Sequence, residues 1–383
     1  MTTTTPSAAS RAANLLYTDV EEALRSSVAD LLAKRSGPVT VLANLESGPQ
    51  YDTDLWCTLA EQLDVAGLLI PETLGGVGGS ARETAVIAEE LGKAVAPVPF
   101  LGSAVLATSA LLACDTSADT VRTLLAALAS GERTAALAVP LSTMPGAAFP
   151  DSVTADGPGA LTGTAGTVVD ALAADVFVVP ATGPDGPALY AVRAGDGVTV
   201  TPLIALDRTR GIADVTFDGA AGEVLPGSAE AALAAALTAG AAVLAAEQLG
   251  IAEWCLDTTV RYVKERYQFG RPVGSFQALK HRLADVYQEL VTARAAARYA
   301  ADCVSADRDD VAVAVSVAQA HCSLVAVHAA EESIQLHGGI GMTWEHPAHL
   351  FLKRAKSDEI ALGTPGRHRQ RLAGLVELPG PVA

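Results

Sequence analysis

Arg266, Gln268, Phe269 and Gln277 stand within one short stretch, Tyr262 to Asp285, where a helical pattern breaks at Gly270 and Pro272. A planar guanidinium at such a helix end can pair bidentately with a phosphate, and an aromatic face beside it can take a base. The two glutamines add amide donors. A second stretch, Gln335-Leu336-His337-Gly338-Gly339-Ile340-Gly341, ends another helical pattern in glycines. Backbone amides there can approach a pyrophosphate closely, with Gln335 as a further donor. Taken singly, a solvated helix end with a packed Phe and a glycine C-cap are the commoner explanations. Their shared chemistry is recognition of a nucleotide's phosphates and base.

The elements that must position these residues fall into three zones. The pattern is helical from about Tyr17 to Ser130, with acidic residues opening the segment at Asp19 and a glycine-rich turn at Gly75 to Gly79 before the helix at Glu83. From Gly131 to Pro226 short apolar runs such as Val176 to Val179 and Leu189 to Val192 are bounded by Gly, Pro and Asp, as in a small all-β domain. Long helical patterns then return over Ala231–Tyr267, Leu279–Ser305 and Val311–Leu336, with a shorter one at Leu350–Ile360, and predict a helical bundle. The expected organisation is an α+β multidomain chain: residues 1–130 helical, 131–226 β, 227–383 a helical bundle.

Composition narrows the function. With 383 residues, half of them apolar and 18% charged, the chain can bury more than one core. A net charge of −17 and a pI near 4.8 give no basic footprint for nucleic acid. The five cysteines are scattered without a CxxC pair, as expected of buried thiols in a reducing compartment. The N-terminal Thr/Ser/Ala run lacks the apolar core of a signal peptide. The Ala-rich uncharged stretch Ala231 to Ala246 is about 16 residues and falls short of a bilayer span. A cytoplasmic protein with no membrane partner is expected. No GxSxG elbow, P-loop or strand-borne GxGxxG is present. His346 and His349 lack a nearby carboxylate or Cys for a metal site and are expected at the surface.

Together the two stretches, the turn at Gly67-Leu68-Leu69-Ile70-Pro71-Glu72 and the run Gly341 to Pro347 resemble the acyl-CoA dehydrogenase family along nearly the whole chain. The resemblance implies a tetramer whose chains have an N-terminal helical domain, a middle β-barrel and a C-terminal four-helix bundle. It also implies FAD at a subunit interface, an acyl-CoA substrate and an electron-transferring flavoprotein as acceptor. By that analogy Arg266, Gln268, Phe269, Gln277, Gln335, Gly338 and Gly339 grip a neighbour's FAD, and Thr364 touches the chain's own flavin.

The sequence departs from the family where the chemistry would occur. Family members remove an α-proton with a carboxylate while a hydride passes from Cβ to the flavin, and the base must reach that proton. In most members it precedes a Gly-Thr pair; here the position is Leu362. In others it lies about 26 residues before the Arg of the RxQFG segment; here that is Gly240. Glu247, two helical turns further on and about 10 Å away, is the nearest substitute, with a polar helix–helix contact as its more ordinary role. Asp358 and Glu359 are expected as surface charges. The family's Thr-Glu-Pro loop and Trp-Ile-Thr strand against the isoalloxazine are missing: the first reads Ala138-Val139-Pro140-Leu141-Ser142, and no Trp lies in the middle zone.

What would hold a neighbour's FAD is kept, and what would hold the chain's own flavin and base is eroded. The leading expectation is therefore an FAD-binding subunit whose homologous partner carries the Glu, as in heteromeric members that handle bulky side chains such as those of steroids. The alternatives are a self-sufficient dehydrogenase using Glu247 and a repurposed binder of acyl thioesters.

Overall fold

The computed structural model describes residues 15–45, 50–156 and 159–379. The N-terminal Thr/Ser/Ala run lies outside them. Helix α1 (Asp19–Arg35) starts at a capping box between Thr18 and Glu21. After α2 (Pro38–Asn44) and α3 (Thr53–Leu63), α4 (Ala81–Ala94) starts at a second box, Ser80 with Glu83. A π-helical segment, Phe100–Ala107, runs into α5 (Thr108–Leu112), and α6 (Asp119–Ala129) ends the first helical region. Wide π turns shift side chains off the α-helical register, and this segment is buried throughout.

Seven strands follow: β1 (Ala135–Leu137), β2 (Val153–Asp156), β3 (Ala160–Val169), β4 (Val176–Gly183), β5 (Gly186–Arg193), β6 (Val198–Pro202) and β7 (Ile212–Leu225). They pair in the order β1-β4-β2-β3-β7-β5, with β6 on β7 and a further β4–β5 pairing. Closure is partial, because β2 meets β4 at the single pair Thr154–Thr182. The expected barrel is thus a sheet that curls on itself without a full ladder at that seam. Its own core centres on Phe177 and Phe217, edge to face at 6.2 Å.

The remaining elements are α7 (Ala229–Glu265), a short hairpin of β8 (Tyr267–Gln268) and β9 (Arg271–Pro272), α8 (Gln277–Ser305), α9 (Val311–His337), α10 (Ala348–Ile360) and α11 (Pro365–Leu375). Alanine and glycine let α7 sit centrally. A Cβ on Gly250 would lie 1.9 Å from the Glu89 carbonyl of α4, and one on Gly92 of α4 would lie 2.3 Å from the Glu247 carbonyl. The two backbones therefore touch through reciprocal glycines, a crossing that no larger residue permits. By length and composition α7 and the α9 region could cross a membrane, yet most of each is buried within the protein. Cys255, Cys303 and Cys322 are buried as expected, whereas Cys57 is exposed.

Candidate functional site: an open nucleotide cradle and a sealed base pocket

The cradle segments rise from one end of the bundle. Arg266 leaves α7 with its N–H still donating to Tyr262 O at 2.8 Å. The chain then turns tightly, with Phe269 (φ +54°) and Gly270 (φ +75°) both in the left-handed region that a two-residue hairpin turn demands. Such a backbone is unfavourable for Phe, and its ring is 89% exposed, so neither local conformation nor burial accounts for it. The ring meets Phe276 edge-on at 6.2 Å, and Arg271 stacks on Phe276 at 3.8 Å. Arg266, Gln268 and Gln277 are all exposed.

The second segment begins as α9 ends. Gln335, Gly338 and Gly339 are exposed, and a Cβ added at either glycine would meet nothing within 4 Å. The segments are tied at their bases: Thr259 Oγ1 to Ser333 Oγ at 3.0 Å, Tyr262 stacked on His337 at 4.5 Å, and Arg282 bidentate to Glu332 at 2.6 Å. An exposed guanidinium, three amide side chains, a presented aromatic face and open glycine backbone fit the phosphates and adenine of FAD. Thr364 caps α11, its hydroxyl accepting from Arg367 N at 3.4 Å.

The two family base positions meet inside the fold. A Cβ on Gly240 would lie 3.2 Å from Leu362 Cδ1 and 2.4 Å from Leu106 Cδ2. Leu106, carried by the π-helical segment, fills the space between them, and both leucines are buried. Leu362, itself at φ +52°, donates its N–H to Leu141 O at 2.7 Å and accepts from His368 Nε2 at 2.9 Å.

Glu247 lies in a buried charge cluster that the sequence did not reveal. Its carboxylate accepts from Arg210 Nη2 at 2.5 and 2.6 Å and from Arg354 Nη1 at 2.6 Å. Arg354 also donates to Asp207 at 2.6 Å and to Thr209 at 2.7 Å, and Arg210 to Asp358 at 2.5 Å. Burial opposes the Glu247 charge, but the two guanidiniums outweigh it and hold the carboxyl below its usual range. The void beside it is about 10 Å³, room for one water at most. Glu247 is therefore a structural ion-pair partner rather than a base, and it joins α7 to α10 and to the loop before β7. Asp358 corrects the sequence expectation too. It is fully buried, not a surface charge. Burial raises its carboxyl, Arg210 draws it back and the Glu247 charge raises it again, leaving it at about 8.

His346 and His349 are half-buried rather than at the surface, His346 against His337 at 4.3 Å and His349 against Trp344 at 4.8 Å. Among the described residues no group of three or more His, Cys, Asp or Glu is placed to hold a metal. A cavity of about 890 Å³ lies elsewhere, between α2, α3 and the loop after β6.

Helices, a curled sheet and a long-helix bundle, in that order, are the architecture that the resemblance to acyl-CoA dehydrogenases implied. Comparison with known proteins agrees. Residues 18–132 match the model of the acyl-CoA dehydrogenase N-terminal domain, and 230–375 that of the C-terminal domain. The chain belongs to the acyl-CoA dehydrogenase family. It is 37% identical over 352 residues to acyl-CoA dehydrogenase IpdE2 of Mycobacterium tuberculosis, covering 91% of this chain and 95% of that one. It is 34% identical to acyl-CoA dehydrogenase FadE27 of the same organism, covering 86% and 90%. Among solved structures, the G363A variant of the Tcur3481–Tcur3483 steroid acyl-CoA dehydrogenase is 30% identical with a TM-score of 0.82, covering 94% and 98%. The ChsE4–ChsE5 complex of M. tuberculosis is 28% identical with a TM-score of 0.84, covering 96% and 100%.

Proposed function

We propose that this chain is one subunit of a mixed oligomer that desaturates an acyl-CoA thioester between Cα and Cβ. It holds FAD through Arg266, Gln268, Phe269, Gln277, Gln335, Gly338 and Gly339, while a homologous chain supplies the carboxylate base. The observation that carries this reading is the pairing of a sealed base pocket, Leu106 against Gly240 and Leu362, with an open cradle at the other end of α7.

When bound, FAD supplies the hydride acceptor. This chain's part is to bind and orient: Arg266 pairs with phosphate, Phe269 covers the base, and the glycine backbone admits the pyrophosphate. No carboxylate stands at either base position, so the α-proton passes to the partner's Glu. A heteromer supports the reading because each shared site then needs one cradle and one base, from different chains. The likeness to a steroid acyl-CoA dehydrogenase favours a bulky, steroid-type thioester. A tetramer in the cytoplasm, with an electron-transferring flavoprotein as acceptor, completes the proposal.

Flavin content per chain tests it, by absorbance after denaturation of the chain purified alone and with its Glu-bearing homologue. Little or no FAD is expected alone, and fewer flavins than chains in the mixed oligomer. About one FAD per chain with full dehydrogenase activity from this chain alone would overturn it.

A further inference from the structure

The cradle stands on a stack of rings. Tyr262, one turn before Arg266, packs on His337 at 4.5 Å with a 30° interplanar angle, and His337 packs on His346 at 4.3 Å. His337 is the last residue of α9 and immediately precedes Gly338. One buried imidazole therefore touches the base of one cradle segment and is covalently the base of the other. Its Nδ1–H donates to Ser333 O at 2.7 Å, while Nε2 has no partner.

We propose that His337 is a positioning residue, which holds the two cradle segments in register by stacking on Tyr262 and packing at a tilt against His346, and releases them when its ring takes a proton. A neutral ring packs on Tyr262 and His346 without penalty. A charged one would be buried, would face a second imidazole, and would have no acceptor for the new proton on Nε2. The titratable groups around the stack are Tyr262 on α7, His346 ahead of α10, and His349 and Lys353 on α10. Asp207 and Arg208, from the β6–β7 loop, act on Lys353. No carboxylate contributes to the histidines' environment. Burial lowers all three, and His337 and His349 add to the lowering of His346, to about 4. The neutral stack is thus the form present at neutral pH.

The inference takes only the identity of the nucleotide from the proposed function, and amide hydrogen exchange on the full-length chain tests it without any flavin. His337→Ala is expected to speed exchange in both 266–277 and 338–342, roughly two- to tenfold, the range that loss of an aromatic pair supports. His337→Phe keeps a ring that cannot titrate. The wild type is expected to open both segments together as pH falls from 6.5 towards 4, after correction for intrinsic exchange, and His337→Phe to lose that step. Opening confined to 338–342, or an unchanged acid step in His337→Phe, would overturn the proposal. Protection of the α7 core amides shows whether His337→Ala folds. If it does not, His337→Phe and His346→Phe decide the question through the acid step alone. In the assembled, FAD-loaded complex, acid should release flavin from wild type sooner than from His337→Phe. Tighter binding in acid would mean that the imidazolium recruits phosphate instead, and would overturn the positioning role. Failure to load FAD at all would count against the proposed function and leave the exchange result standing for His337.

Discussion

At Gly240, α7 is packed so closely against Leu106 and Leu362 that an added Cβ would clash, whereas just past its end Phe269 stands out in solvent on a left-handed backbone. The sealed region is explained within the chain, since each buried leucine is worth about 1.5–3 kcal/mol. The exposed region is not. A bulky residue in the left-handed region costs about 1–2 kcal/mol and here recovers none of it by burial. A strained residue left in solvent, with the edge of Phe276 as its ring contact, is a candidate for contact with another molecule. One helix thus carries a region closed by the chain's own leucines and, just past its end, a strained aromatic left in solvent.

Leu362→Glu attacks the sealed region and has the largest expected effect. It restores the family's carboxyl at the usual position but places it against Leu106 and beside Gly240, with a backbone already bonded to Leu141. Burying an uncompensated polar group there should cost roughly 2–7 kcal/mol, measured by urea unfolding. No gain in activity is expected. A variant of wild-type stability that bound its own flavin would show the pocket to be open and dissolve the contrast.

Arg266→Ala attacks the exposed region and should behave in the opposite way. The side chain is exposed, so unfolding should change little. FAD affinity of the assembled complex should fall roughly tenfold to a hundredfold, the range for loss of a charge-assisted hydrogen bond. Unchanged affinity would remove Arg266 from the cradle.

Helix positions were legible from the apolar period: α8, observed over Gln277–Ser305, was expected over Leu279–Ser305. The two candidate cradle segments follow at the ends of α7 and α9, and their assignment to FAD rests on the family resemblance rather than on spacing. The seal was half legible. The lost carboxylates at Leu362 and Gly240 were visible, but Leu106 reaches them from a π-helical segment whose side-chain directions no α-helical period describes. The charge cluster was missed because its members come from three regions, 207–210, Glu247 and 354–358, that only the tertiary fold assembles. A signal existed: Arg354 and Asp358 are four apart on a helix with an otherwise apolar inner face, and charges there are rarely buried singly.

That cluster offers the smallest and most discriminating test, Asp358→Asn. Asp358 sits one helical turn before Leu362, so it reports on the sealed side. Its carboxyl, at about 8 in the fold against an ordinary value near 3.8, keeps a proton that the unfolded chain has lost. Between those values folding takes up a proton, and raising the pH removes stability, by at most roughly tenfold in the folded ratio per pH unit. The histidines act with the opposite sign. His337, His346 and His349 are lowered in the fold, so acid below about 6.5 protonates the unfolded chain first and destabilises the protein. The range from pH 6.5 to 8 therefore separates the two effects. Wild type is expected to lose stability across it, and Asp358→Asn to lose less, because an amide oxygen still accepts from Arg210 without titrating. The wild-type-minus-variant difference separates Asp358 from Glu89 and Asp170, whose carboxyls burial also raises. Parallel curves for wild type and variant would mean that Asp358 stays ionised. The cluster would then have to carry all three carboxylates charged beside two guanidiniums, and the sealed side would be held by charge balance rather than by a shared proton.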